Sequence, residues 1–85
     1  MPIAFRLLID LKVLETLQAL PRGRRGKVLA HLRKLQESPE RYSDYIDQDT
    51  SGRQVDVSVY NGWAIFYWID HADRQIKILQ MMIAD

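Results

Sequence analysis

Cysteine is absent from the 85 residues, which excludes both a disulfide framework and a thiolate metal site. No stretch approaches the roughly 18 consecutive apolar residues of a membrane span. The N-terminal MPIAFRLLID has an arginine inside its short apolar run and lacks a small-residue cleavage site, so no leader is expected and the expected location is cytoplasmic. No linker, repeat or low-complexity segment divides the chain, which therefore reads as a single domain over 1–85. Net charge is also nearly absent, at +1, but its distribution is uneven. Residues 1–41 hold nine basic and four acidic side chains, whereas residues 42–85 hold three basic and seven acidic. The first half suits a polyanion and the second repels one.

What is present is patterned. IAFRLLI, bounded by Pro2 and Asp10, fits a short buried strand, and Asp10 stands where a helix N-cap accepts backbone N–H groups. Val13, Leu14, Leu17 and Leu20 recur at helical spacing until Pro21 stops them. A second stripe of Val28, Leu32 and Leu35, widened by Leu29, runs to Pro39. The period then becomes two. RQVDVSVY alternates Val55, Val57 and Val59 with Gln54, Asp56, Ser58 and Tyr60. Asn61-Gly62 is a strong hairpin signal because both residues tolerate positive φ. WAIFYWI is the returning strand, QIKILQMMI follows the DHADR turn, and DYIDQD offers an earlier edge strand. The expected fold is α+β: an N-terminal strand, a helical hairpin, then an antiparallel meander of three or four strands with both helices on one face. The valines are expected to point at the helices. Trp63, Ile65, Tyr67 and Ile69 are assigned to the core, leaving Ala64, Phe66, Trp68 and Asp70 on the open face beside Asp56.

Several groups could carry function. Arg22, Arg24, Arg25 and Lys27 of RGRRGK, with Arg33 and Lys34, give six cations without an intervening acid, suited to phosphate contacts or to a solvated interhelical loop and helix face. His31 and His71 lack a second ligand at metal spacing and read as ordinary surface or cap residues. Asp44, Asp47 and Asp49 have no Gly-centred calcium loop and read as the charged face of an edge strand. Phe66 and Trp68, left on an open face, suit a protein partner. No metal and no cofactor is implied.

Gly62, Trp63, Ile65, Tyr67, Asp70, Ile76 and Ile78 follow a pattern that resembles the RelE/ParE superfamily of toxins from type II toxin–antitoxin pairs, and Phe66 is an acceptable variant of it. The resemblance spans nearly the whole chain. It implies a small acidic antitoxin as partner. In RelE-like members it also implies cleavage of mRNA on the ribosome; ParE-like members are instead gyrase inhibitors. The pattern's arginine is replaced by Ala64, and the chain ends at Asp85, about where the family's tail residues begin. Lys77 on the last strand and Arg53 near the valine strand are the cations left to serve as catalytic groups, because attack of a ribose 2′-hydroxyl on phosphate builds negative charge that cations stabilise. The expectation is a toxin-like component with weakened or lost RNA cleavage, or a non-catalytic interaction module that binds a partner or forms a homodimer.

Overall fold

Asp10 ends the first strand and begins the first helix. Its carboxylate accepts the Lys12 backbone N–H at 2.9 Å, satisfying one of the free donors of the first turn. The computed structural model describes residues 5–84. In chain order the elements are β1 (Arg6–Ile9), α1 (Leu11–Ala19), α2 (Arg22–Glu37), β2 (Tyr45–Gln48), β3 (Gln54–Tyr60), β4 (Trp63–Asp70) and β5 (Gln75–Ile83). Ile3 and Ala4 of the expected first strand lie outside the described residues. The centre of each helical stripe is buried, Val13 and Leu17 from α1 and Val28, Leu32 and Leu35 from α2, and Leu20 packs against the core, but Leu14 and Leu29 are exposed at the stripe edges. RGRRGK is not a loop. Pro21 stands at the N-cap of α2, and Arg22 through Lys27 form its first turns. Proline's fixed φ and missing N–H cost nothing at that end of a helix.

The strands form one sheet in the order β1-β5-β4-β3-β2. β1 runs parallel to β5, and β2 through β5 are an antiparallel meander. Asn61 at φ 52° and Gly62 at φ 84° make the two-residue turn between β3 and β4, and Tyr60 pairs directly with Trp63. Directly opposed residues share a face. Tyr60, Ser58 and Asp56 therefore lie on the same side as Trp63, Ile65 and Tyr67. That side is the helix face: Ile65 and Tyr67 are buried in the cluster with Leu17, Leu32 and Leu35, and Trp63 and Ile69 pack against it.

The expectation for β3 is thereby corrected. Val55, Val57 and Val59 face away from the helices, with Ala64, Phe66 and Trp68, and Asp56 is not a companion of that open face. Polar groups occupy the helix side because each finds a partner there: Ser58 meets His31, and Asp56 accepts the Ser43 hydroxyl at 2.9 Å. The pairing of β4 with β5 shifts between Phe66 and Tyr67, so that Phe66 opposes Gln80 while Tyr67 opposes Ile78. This bulge at Leu79 lets Ile76, Ile78 and Met81 all reach the core despite their mixed parity.

Candidate functional site

The open face is built outward from the β2–β3 hairpin. Asp49 Oδ1 accepts the Ser51 hydroxyl at 2.7 Å, the Ser51 N–H at 2.9 Å and the Arg53 N–H at 2.9 Å. Its Oδ2 pairs with Arg53 Nε at 3.0 Å. The Ser51 hydroxyl above all, opposed by the cost of desolvation and supported by the Arg53 donors and the Ser51 N–H, holds the Asp49 carboxyl at about 2. The carboxylate thus orders the loop and aims a guanidinium. Arg53 Cζ lies 4.7 Å from the centre of the Trp68 ring, and Lys77 Nζ lies 4.6 Å from the same centre. Lys77 also reaches Asp70 at 3.9 Å. The two candidate catalytic cations are therefore gathered on one indole, each with a carboxylate of its own, in contacts that cation–π attraction favours.

Ala64 is elsewhere. It lies four residues from Trp68 along β4, about 13 Å at strand rise, and is buried. Val59 and Met82 are its register partners, and Tyr45 and Phe66 complete an apolar bowl around it. Phe66 and Trp68, the candidate partner-binding pair, are same-face neighbours two residues apart on β4: Phe66 lines the bowl, and Trp68 carries the cations.

The other candidates lie on the opposite side of the sheet. On α2, Arg22, Arg24, Lys27, Arg33 and Lys34 are exposed, while Arg25 is half-buried. Helical geometry puts Arg22 and Arg33 on one flank and Lys27 and Lys34 on another, so the six cations form no single stripe. The first turn holds no acid, leaving the positive end of the helix dipole uncompensated.

His31 is not a surface or cap residue. It is buried, its Nε2 lies 2.7 Å from Ser58 Oγ, and its ring stacks on Tyr60 with centroids 4.3 Å apart and planes 7° apart. Tyr42 meets its edge at 5.9 Å. Burial, and then the Lys34 charge, hold this imidazole below its ordinary value, with Asp44 opposing. His71 is exposed and lies 3.4 Å from Glu40. The register of the Asn61-Gly62 turn was the signal that could have placed Ser58 opposite α2. The bowl of Tyr45, Val59 and Met82 needed the same register. Of the three acids, Asp47 lies on the exposed edge strand β2, while Asp44 and Asp49 flank it.

Two helices lie on one face of a five-stranded mixed sheet, its first strand parallel to its last. This is the fold of the RelE toxins. A chain of the archaeal RelE–RelB complex from Pyrococcus horikoshii OT3 superposes with a TM-score of 0.77 at 22% identity, over 95% of this chain and 96% of that one. An arginine-to-alanine double mutant of E. coli toxin RelE in the free state superposes with a TM-score of 0.66 at 18% identity, over 98% of this chain and 86% of that one. By sequence, no family model and no curated relative matches. Among the described residues no helix is long and apolar enough to cross a membrane.

Proposed function

We propose that this chain is the toxin-side component of a RelE-type toxin–antitoxin pair in which mRNA cleavage is weak or lost and partner binding is retained. One observation carries the reading. Ala64, at the position where the resemblance places a catalytic arginine, sits in an apolar bowl, and the cations Arg53 and Lys77 are stacked about 13 Å away along the strand. Stabilising the charge that develops at a scissile phosphate requires donors aimed at it. Among the described residues no lysine or arginine lines that bowl. The archaeal structure of the same fold is a complex with RelB, which supports a protein partner here, a small acidic antitoxin able to cover the α2 cations.

Ribosome-dependent cleavage in a bacterial translation extract, with E. coli RelE run beside it, tests the reading. The expected rate is about 10²–10³-fold below that of RelE, the usual consequence of removing one charge-stabilising group. Cleavage as fast as that of RelE would overturn the loss of catalysis. Induction in growing bacteria checks the toxin assignment separately, since unchanged growth counts against it. A second reading, attachment to RNA through Arg22, Arg24, Arg25, Lys27, Arg33 and Lys34, is favoured by the uncompensated cationic first turns of α2.

A further inference from the structure

A groove crosses the open face of the sheet at Phe66 and Met82. On one side of these side chains is a hollow of about 390 Å³ walled by Tyr45, Val59 and Ala64. On the other is a hollow of about 380 Å³ walled by Asp47, Asp49, Val55 and Gln80. Both hollows are lined by Phe66 and Met82, so they form one groove with an apolar end and an acidic end. Tyr45, Val59 and Met82 keep 49%, 45% and 47% of their surface exposed. Three large apolar groups gathered around one hollow mark an interaction site, where single exposed ones would not.

Charge selects the occupant. Among the described residues no lysine or arginine lines either hollow. Asp49 is ionised at any ordinary pH, although Arg53 shares its charge. Asp47 is exposed, and among the described residues it engages only the neighbouring Gln48 N–H, at 2.8 Å. A nucleic-acid backbone would be repelled here, and an acidic peptide likewise. We propose that this groove seats a peptide segment of a partner protein that places a large apolar side chain among Tyr45, Val59 and Ala64 and a lysine or arginine beside Asp47 and Asp49. In an extended segment residues i and i+2 stand on one side, about 6.7 Å apart, a span that brackets the Phe66 ring. The inference rests on the partner-binding reading above and gives that partner its local chemistry: a cationic, apolar segment, even within a protein that is acidic overall.

Selection of phage-displayed random 12-residue peptides on the full folded chain tests it. The expected consensus pairs a large apolar residue with a lysine or arginine two positions away. A synthetic peptide of that consensus should lose at least about tenfold in affinity to Val59→Asp and, separately, to Asp47→Lys, a change of about 1.4 kcal/mol. Both positions are exposed, and circular dichroism with thermal melting verifies that each variant folds; Met82→Gln replaces Val59→Asp if that variant melts early. An acidic consensus, no enrichment, or an affinity indifferent to both variants overturns the proposal. So does a concentration-dependent dimer of the wild type that Val59→Asp abolishes, since a second copy would then own the groove. Growth and cleavage assays are not part of this readout, so failure of the groove and failure of the toxin reading are separable.

Discussion

His31 shows how much a single side chain can depend on a distant partner. Its imidazole is stacked on Tyr60 and bonded to Ser58, 27 positions along the chain. Burial, with the nearby Lys34 charge, disfavours its protonated form, so the folded-state value lies below the ordinary 6.5. An unfolded chain releases that restraint and takes up the proton more readily. The stability contributed by the neutral ring is thus fully present above about pH 6.5 and declines as pH falls toward the folded-state value. Urea midpoints measured from pH 8 down to pH 5 should fall for the wild type and fall less for His31→Gln, which has no imidazole to protonate. Equal slopes for the two proteins would mean that other groups set the pH dependence. Nothing local to AHLRK announces this role, because spacing reveals which helical face is apolar and not what a lone polar residue on it will meet.

Among the elements, the β3–β4 hairpin separates what was legible from what was not. The existence of β3 followed from its period, and that of β4, apolar on both faces, from the Asn61-Gly62 turn before it. The direction of β3 did not follow from alternation, because Val57 on the open face and Ser58 on the helix face are both almost fully buried, so burial does not track the apolar pattern. Turn geometry does choose, by setting Tyr60 opposite Trp63. In the candidate site, Arg53 and Lys77 were identifiable as the available cations, whereas their meeting on Trp68 depends on Asp49 ordering the loop that holds Arg53 and on the register that sets Lys77 opposite Trp68. The same dependence on backbone geometry predicts opposite outcomes for one substitution. A Cβ at Gly62 or at Gly26 meets nothing within 4 Å, so only conformation matters. At Gly62, with φ of 84°, alanine should destabilise by about 1 kcal/mol through strain. At Gly26, inside α2, alanine should stabilise by about 0.4–1 kcal/mol. Chemical denaturation of the two variants reads both signs, and a stabilising Gly62→Ala would contradict the type I′ turn.

At the scale of the whole molecule, the sheet separates two surfaces of different chemistry. One side presents α2, with cations in its first turns and no acid to offset them; the other presents an apolar and acidic groove with its two cations held on Trp68. A net charge of +1 conceals this division, and the division separates the proposed polyanion surface on α2 from the proposed peptide groove, so each can be tested without disturbing the other. If α2 contacts phosphates, binding to a single-stranded RNA must weaken with salt, and each lost contact lowers the slope of log K against log salt by about 0.7. Arg24→Glu combined with Arg25→Glu should therefore weaken binding to a labelled 20-nucleotide RNA and reduce the slope by about 1.4 if both arginines touch phosphate. Phe66→Ala, on the far side of the sheet, should leave the slope unchanged. Fluorescence anisotropy between 50 and 200 mM salt distinguishes these cases. An RNA affinity indifferent to the arginine substitutions but reduced by Phe66→Ala would move the RNA surface to the groove face and remove α2 from consideration.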